Sequence, residues 1–355
     1  MNNGGSGGGV ASGSGGGGGG GSIQIGGGSL FRRIASIGVI AGTVLLSRLF
    51  LHTTQTVEYE GLDKFLELLR RRREVSGRRQ GLKPHQRVPS PPYPFSAKSQ
   101  QTNSITPPNS LDDPLLFAPL PLPLLLHPPS IRYSLGSHDL CFRNALTSTY
   151  FALGQVLPTY RLHKSPLGGP FQPAINTSIA LLSHPHHAWI HVFPEGRIHQ
   201  MRNYQMRYFR WGVSRLLLEA DVPPLVVPIF ITGLDEVMHE ARRWPRFIPR
   251  VGKKVRICFG DPVDESRWEG LRREWRDLVR EYGDRDGERL RYSDKAVELR
   301  IRTTWEVRMA VDGLRRRLGF PEEEAGAGLA ETYRLPGMRE VQGKLIDGAW
   351  ERDDV

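Results

Sequence analysis

The sequence is poor in cysteine and lacks the spacings of disulfide and metal sites. It has two thiols, Cys141 and Cys258, in 355 residues. Both lie in apolar, strand-like surroundings, so we expect buried free thiols rather than a disulfide or a cysteine nucleophile. Pro185 interrupts a group of histidines, no neighbouring Cys or carboxylate completes a ligand set, and H-E-x-x-H is absent. These histidines are His184, His186, His187 and His191. We therefore expect neither a metal nor a cofactor.

Zinc-finger spacing and RNP-type aromatic motifs are also absent, although the net charge is +11. A surplus of that size indicates an anionic partner, whether nucleic acid, acidic lipid or phosphorylated substrate. Without either motif, nucleic acid ranks last and we expect no nucleic-acid partner. Arginines form runs at 70–73, 78–79 and 315–317, and such runs are as often a solvated helix face as a binding surface.

The apolar segment near the N-terminus is short. Ile34 to Ser47 has 14 residues, whereas a helix needs roughly 20 to span a bilayer. A helix lying in the membrane interface, with Arg32, Arg33 and Arg48 reaching towards the head groups, fits this pattern. A core helix is the alternative.

Acidic residues are missing from the beginning of the chain. No Asp or Glu occurs before Glu58, and residues 1–29 are rich in Gly and Ser. We expect residues 1–29 to form a disordered tail. Freedom from acid is a feature of mitochondrial presequences, although poly-glycine does not form the helix that they need.

Composition divides the chain into successive segments. Pro84 to Pro108 is rich in Pro, Ser and Gln without an apolar period, which predicts a loop or disordered insert. In Leu111 to Leu126 prolines forbid a regular helix, so this apolar stretch either dips into lipid or packs in the core. The predicted segments are a tail (1–29), a membrane-associating helix (30–51), an amphipathic helix region (52–82), the insert (83–110), the core (111–263), a helical region (264–320) and a second tail (321–355).

Alternating strand and helix patterns predict an α/β domain with a central mixed sheet flanked by helices, and an N-terminal interfacial helix beside it. Trp189–Phe193, Leu225–Ile231 and Val255–Phe259 predict strands, and residues 174–182 and 208–220 predict helices. An apolar stripe runs along the charged segment 265–318, which we expect to close over the core. Its members are Trp268, Leu271, Trp275 and Leu278.

The most specific local motif is Phe193-Pro194-Glu195-Gly196. It follows a predicted strand and precedes a basic segment. A strand that ends in a tight Pro/Gly turn places the Glu195 carboxylate and backbone N–H groups at a sheet edge, where they can hold a glycerol hydroxyl and a phosphate. An ordinary strand-exit turn with an exposed Glu195 is the alternative.

F-P-E-G is a signature of the glycerolipid acyltransferases, and the chain resembles the tafazzin family among them. The resemblance covers about residues 30–82 and 111–263, and ordered motifs together are more specific than any one of them. Six further stretches carry it: Thr56-Val57-Glu58 with Gly61-Leu62-Asp63, Leu111-Asp112-Asp113-Pro114-Leu115, Ser134-Leu135-Gly136 through Asp139-Leu140-Cys141-Phe142, Gly154-Gln155-Val156-Leu157-Pro158 through Arg161, Trp211-Gly212 through Arg215-Leu216, and Val227-Pro228-Ile229.

The resemblance implies an H-x4-D motif, in which the histidine deprotonates the acceptor hydroxyl and the aspartate orients the imidazole. Asp112 matches the catalytic aspartate, but Pro107 stands five residues before it, and no histidine in the chain has an aspartate five residues later. In one interpretation, residues 83–110 are translated intron that replaces the histidine-bearing segment, and the composition break favours this. In the other, the chain is inactive or recruits His85 or His138 by folding.

The resemblance also implies substrate-binding residues. Arg161 matches the arginine that pairs with substrate phosphate. Arg197 follows the motif where the wider superfamily often has Thr, with its arginine at the position of Ile198. The residues expected to bind the lipid head group are Arg161, Phe193, Pro194, Glu195, Gly196 and Arg197.

The implied function is CoA-independent transfer of acyl groups between phospholipids and lysophospholipids, which remodels cardiolipin. The implied location is a mitochondrial membrane, bound to one leaflet and facing the intermembrane space. The alternatives are an acyl-CoA-dependent lysophospholipid acyltransferase and a catalytically inactive membrane-binding homologue.

If residues 83–110 are translated intron, the natural transcript should lack the present codons 83–110. Sequencing the spliced message across this region should show a segment that places Asn-His before Asp112 and Asp113. Because loss of one member of such a catalytic group typically costs several orders of magnitude in rate, a message that matches the codons as written would favour the inactive interpretation.

Overall fold

A computed structural model of the protein describes residues 30–80, 94–98, 112–162, 164–183, 188–196, 201–238, 248–283 and 287–333. Of residues 73–80, 94–98, 112, 202 and 333 it describes the backbone only.

A seven-stranded mixed sheet forms the centre of the described chain, as the sequence predicts. Its strands lie in the order β1-β7-β6-β2-β5-β3-β4, and every pair is parallel except β6 with β7. The strands are β1 (Thr56–Glu60), β2 (Pro94–Lys98), β3 (Tyr133–Ser137), β4 (Val156–Thr159), β5 (Ile190–Val192), β6 (Leu225–Thr232) and β7 (Lys254–Phe259).

Helices cover both faces of the sheet because its strands alternate their side chains between two apolar cores. In β6, Val226 and Phe230 enter one core, while Val227, Ile229 and Ile231 enter the other. The helices are α1 (Leu30–Thr54), α2 (Leu62–Gln80), α3 (Asp112–Leu116), α4 (Leu122–Leu125), α5 (His138–Cys141), α6 (Ala145–Leu153), α7 (Pro173–Leu182), α8 (Gly212–Glu219), α9 (Leu234–Val237), α10 (Ser266–Tyr282), α11 (Glu288–Tyr292) and α12 (Asp294–Arg317). The first core contains side chains of α7, α8, α10, α11 and α12, and the second contains side chains of α1 to α4 and α9.

Strand β2 lies between β5 and β6 and pairs in parallel with both. The prediction of a loop or disordered insert over 84–108 is therefore wrong for Pro94–Lys98. The facing edges of β5 and β6 need backbone partners, and pairing with both neighbours outweighs a weak local pattern. The rest of the segment lies outside the described residues, so its interpretation as an insert stays a prediction.

Helix α1 has 25 residues, about 37 Å at 1.5 Å per residue. By length and composition it could cross a membrane, and it is the only described helix that passes this test. One face packs on the domain through Ile40, Val44, Ser47 and Leu51. Leu45, Leu46 and Leu49 are exposed on the other. The helix therefore lies against the domain with an apolar face left open.

The Leu/Pro-rich stretch packs in the core. Its prolines restrict it to the short helices α3 and α4, and most of its apolar side chains are buried, although Leu122 and Leu126 are exposed. The sequence predicts that Arg48 reaches towards the lipid head groups. Instead, its Nε and Nη2 donate to the carbonyls of Ala118 at 2.8 Å and Leu120 at 2.6 Å. This arginine thus joins α1 to the stretch.

Much of the arginine surplus lies inside the protein. The buried ones among the described residues are Arg72, Arg132, Arg207, Arg215, Arg272, Arg300, Arg308 and Arg315. Several donate to backbone carbonyls, as Arg272 does to Leu217 and Ala220. The run 315–317 is not a uniform solvated face, because Arg315 is 0% exposed. Arginines of this kind satisfy loop and helix-end carbonyls that have no partner within an element.

We expect Trp268→Ala to lower the free energy of unfolding by about 3–5 kcal/mol, because it leaves a cavity in the core. Trp268 is 1% exposed on the stripe of α10. Trp305→Ala on α12 is the control, since Trp305 is 42% exposed and should cost about 1 kcal/mol or less. Urea titrations followed by circular dichroism measure both. Equal losses would contradict the burial of the stripe.

Candidate functional site

The site is set by strand direction. Strands β2, β5, β3 and β4 are neighbours and run parallel, so their carboxyl ends meet at one edge, where open α/β sheets bind ligands. The F-P-E-G turn follows β5, and Arg161 comes two residues after β4. Asp112 begins α3, the first described element after β2. Motifs distant in sequence are therefore brought to one edge.

A cavity of about 2490 Å³ opens at this edge. Five side chains or turn residues that matter to the predicted chemistry line it: Asp113, Arg161, Phe193, Pro194 and Gly196. Helix α1 forms another part of its wall. Its volume exceeds the roughly 300–1,000 Å³ of ordinary ligand pockets, so it has room for more than one lipid head group.

Asp113 is held by hydrogen bonds from residues at the start of β3. The Arg132 Nε donates to Oδ1 at 3.2 Å, Nη2 makes a second bond to Oδ2, and the Ser134 Oγ donates to Oδ2 at 3.1 Å. Burial alone would raise the pKa of Asp113. The charges of Arg132 and His191 and these hydrogen bonds outweigh burial, so the pKa lies below its ordinary value. Asp113 is therefore a fixed anion at neutral pH. Asp112, the predicted catalytic residue, is described by its backbone only.

His191 connects α3 to the F-P-E-G turn. It is 0% exposed on β5, between two phenylalanines that meet its ring edge to face. The centroid distances are 5.5 Å to Phe117 and 4.8 Å to Phe193. Phe117 directly follows α3, so this stack fixes the distance between the Asp112–Asp113 pair and the turn.

The F-P-E-G turn is locked by its own backbone. Gly196 has φ +64°, the left-handed region that favours glycine. Its N–H donates to the Phe193 carbonyl at 3.0 Å, and the Pro194 carbonyl accepts from the Arg210 N–H at 2.7 Å. A Cβ at Gly196 would lie 3.1 Å from Cγ of Arg210. Arg210 thus packs directly over the turn and lines the cavity beside it.

Glu195 points into the protein. It is 1% exposed, and its Oε2 accepts from the Arg207 N–H at 2.8 Å. The alternative of an exposed Glu195 is therefore wrong. The residues that line the cavity include its neighbours Pro194 and Gly196, but not Glu195 itself.

Arg161 is fixed at the cavity wall through its Nε. This atom donates to the Ser137 Oγ at 2.9 Å and lies 3.2 Å from Oδ1 of Asp139. The Nζ of Lys164 lies 2.9 Å from the other oxygen of Asp139. Burial raises the pKa of Asp139, but the hydrogen bonds from Ser137 and Lys164 and the charges of Arg161 and Lys164 outweigh it and lower the pKa. The anion therefore holds both cations in place.

Of the two alternative bases, the structure describes only His138. His138 stacks on Tyr160 with ring centroids 4.7 Å apart and is not among the residues that line the cavity. His85, Arg197 and three of the four clustered histidines lie outside the described residues. Within the described part of the chain, no group of three or more His, Cys, Asp or Glu is arranged to hold a metal ion.

Both cysteines are free thiols. Cys258 is buried in β7, as expected, whereas Cys141 is half-buried in α5 rather than in a strand. Cys141 lines the cavity, but burial raises the pKa of its thiol to about 11. It therefore stays protonated at neutral pH, which is unsuited to a nucleophile.

Sequence reasoning missed three arginines of the site: Arg132, Arg207 and Arg210. Arg132 pairs with Asp113, while the other two precede α8 and line the cavity. The helix predicted over 208–220 begins only at Gly212, because residues before it run back to the F-P-E-G turn. No local spacing marks these arginines, since their partners are distant in sequence.

Curated proteins resemble this chain. It is 35% identical to the tafazzin of Saccharomyces cerevisiae over 255 residues, which cover 60% of this chain and 66% of that protein. It is 40% identical to the taffazin of Dictyostelium discoideum over 159 residues, covering 44% and 52%. It is 31% identical to the N-acylphosphatidylethanolamine synthase of Arabidopsis thaliana over 158 residues, covering 44% and 53%. The chain thus spans about half to two thirds of these relatives. A comparison with models of protein families finds no match.

We expect Asp113→Asn to lower the free energy of unfolding at neutral pH by about 3 kcal/mol, because it leaves Arg132 without its buried partner. Since the pKa of Asp113 is lowered in the folded protein, its stabilisation is present above the ordinary carboxyl pKa and is lost as pH falls through the folded-state value. The variant should therefore lose less stability than the wild type between neutral and acidic pH.

Urea titrations at neutral pH and at about pH 3 test this. The control is Asp261→Asn, since Asp261 is 57% exposed beside Lys64 and its loss should leave both titrations unchanged within error. Identical acid sensitivity in the Asp113 variant and the wild type would contradict the assignment.

Proposed function

We propose that this chain, a homologue of the tafazzins and by that resemblance an acyltransferase, moves acyl groups between phospholipids and lysophospholipids at a membrane surface. One observation carries the proposal. A single cavity at the carboxyl edge of the sheet is lined by Asp113, Arg161 and the F-P-E-G turn, and α1 forms part of its wall.

The cavity suits a glycerophosphate head group. Arg161 and Arg210 present guanidinium groups, which pair with phosphate bidentately. Pro194 and Gly196 place backbone of the turn beside them. We assign Glu195 to holding this turn through Arg207, and the turn itself to contacting the head group. Asp112 is assigned to orienting the catalytic base, with Asp113 fixing the start of α3.

The volume of the cavity suits two lipids bound at the same time. Acyl transfer needs a donor phospholipid and an acceptor lysophospholipid in contact. The acceptor hydroxyl oxygen attacks the donor acyl carbonyl carbon and forms a new ester bond. The old ester bond breaks, and the hydroxyl proton passes through the base to the departing glycerol oxygen of the donor. One ester replaces another, so no activated donor such as acyl-CoA is required.

The base of this reaction belongs, by resemblance, five residues before Asp112. That position is Pro107, within residues 99–111, which the structure does not describe. We propose that the natural protein carries the histidine there, in the segment that the transcript experiment examines. A chain without it should be slower by several orders of magnitude.

Helix α1 supplies the membrane contact in this proposal. It exposes Leu45, Leu46 and Leu49, and Leu46 also borders the cavity. A helix in this position bound to one leaflet would place the cavity beside lipid.

We extend the proposal to cardiolipin remodelling in a mitochondrial membrane, on the side of the intermembrane space. The resemblance to tafazzins and the absence of acidic residues before Glu58 support it. The net charge of +11 also favours an anionic lipid.

Acyl transfer without CoA tests the function. Protein purified from the spliced message, which in this proposal carries the histidine, is incubated with vesicles that contain radiolabelled phosphatidylcholine and lysocardiolipin, and we expect label to appear in cardiolipin. Transfer only after addition of acyl-CoA would replace the proposal with an acyl-CoA-dependent enzyme. Vesicle binding without transfer under either condition would identify an inactive membrane-binding homologue.

A pair of variants tests the site in the same assay. Arg161→Gln should raise the KM for the lysophospholipid about tenfold, the effect of one charge-assisted contact to phosphate. Lys164→Gln is the matched control, because Lys164 pairs with the same Asp139 but is not among the residues that line the cavity. Its KM should stay within about twofold. Equal effects of the two substitutions would remove Arg161 from the binding site.

A further inference from the structure

We propose that Arg308 and Glu323, far from every motif in the sequence, are positioning residues for the F-P-E-G turn. The inference rests on the proposed function, in which this turn contacts the lipid head group. Neither residue is assigned a contact with substrate.

Arg308 of α12 holds the backbone that faces the turn. Its Nε donates to the Arg207 carbonyl at 3.1 Å, and its Nη2 donates to the Met206 carbonyl at 2.8 Å. The side chain is 2% exposed. Buried hydrogen bonds from a charged donor are among the stronger ones, and removing the donor leaves two carbonyls to be satisfied.

Glu323 completes the arrangement from beyond the end of α12. Its Oε2 lies 2.6 Å from the Arg308 Nη2, and its Oε1 accepts from the Met206 N–H at 2.7 Å. The side chain of Glu323 is 9% exposed. One carboxylate therefore binds both the arginine and the segment that the arginine holds.

The segment held in this way reaches the turn directly. The Arg207 N–H donates to Glu195 at 2.8 Å, and Met206, Arg207 and Glu195 are all buried. A continuous set of hydrogen bonds thus runs from Glu323 through Arg308 and Arg207 to Glu195. Through it, the C-terminal part of the chain fixes one wall of the cavity.

Helix α12 also holds the segment before α8 at Asn203 and Tyr204. Asn203 and Tyr204 have φ of +56° and +54°, a region that costs non-glycine residues about 1 kcal/mol or more each. Arg315 donates to both of their carbonyls, at 2.9 Å and 2.8 Å. A backbone under such strain needs external contacts to persist, and α12 provides them.

The residues after α12 also lie close to the Arg308 guanidinium. A Cβ at Gly328 would lie 3.1 Å from Cζ of Arg308 and 2.5 Å from the Trp305 ring. Gly328 and Arg308 both line the cavity. The C-terminal segment is therefore part of the site's architecture.

Glu323→Gln is the primary test, because it keeps the size of the side chain and removes its charge. We expect the KM for the lysophospholipid to rise about tenfold, with kcat changed much less, since the turn serves binding in the proposed function. We also expect the Arg207 amide to exchange its hydrogen about tenfold faster, measured by mass spectrometry with fragmentation.

Arg308→Lys is the second variant. It retains a charge beside Glu323 but cannot bind both carbonyls as a planar guanidinium does, so we expect an intermediate rise in KM and in exchange.

Arg300→Lys is the matched control. Arg300 is 1% exposed on the same helix and donates to the Leu290 carbonyl, away from the turn. We expect it to lower the melting temperature while the KM and the exchange of the Arg207 amide stay within about twofold of the wild type.

The hydrogen-exchange measurement distinguishes failure of the positioning role from failure of the proposed function, because it does not require enzymatic activity. Unchanged protection of the Arg207 amide in Glu323→Gln would overturn the positioning role, as would an equal rise in KM in Arg300→Lys. Faster exchange in a chain that carries the histidine but transfers no acyl group would keep the positioning role and overturn the proposed function.

Discussion

The shared direction of β2, β5, β3 and β4 is the constraint on which the site depends. Parallel strands release their carboxyl ends at one edge, so the segments that follow must begin their course there. The F-P-E-G turn, Arg161 and the start of α3 become neighbours for this reason, although more than eighty residues separate Asp112 from Gly196 along the chain. The antiparallel pairing of β7 lies on the other side of β6 and leaves this edge undisturbed.

Charged side chains inside the protein turn that coarse arrangement into a fixed one. Asp113 is bound by Arg132, and the segment before α8 is bound by Arg308 and Arg315. The stack of Phe117, His191 and Phe193 sets the distance between the start of α3 and the F-P-E-G turn. The direction of the strands determines which residues come together at the site, and these side-chain contacts determine the distances between them.

The sequence predicted what depends on local pattern. Strands β5, β6 and β7, helix α7 and the stripe around Trp268 follow from apolar runs and helical spacing, and the F-P-E-G turn follows from its motif. Strand β2 was missed because its place is set by its neighbours rather than by its own composition. The inward direction of Glu195 and the pairing of Asp113 were also beyond local pattern, since both depend on arginines distant in sequence.

The buried arginines affect the pH range over which the interior of the protein stays folded. Burial lowers the pKa of Arg272 and Arg300, but only to about 10, so both groups remain protonated in mildly alkaline solution. A lysine buried equally deeply can lose its proton at about pH 5–6, and its bonds to carbonyls would then weaken. A protein interior held together by guanidinium groups therefore keeps its hydrogen bonds at an alkaline pH at which buried lysines would have lost their protons.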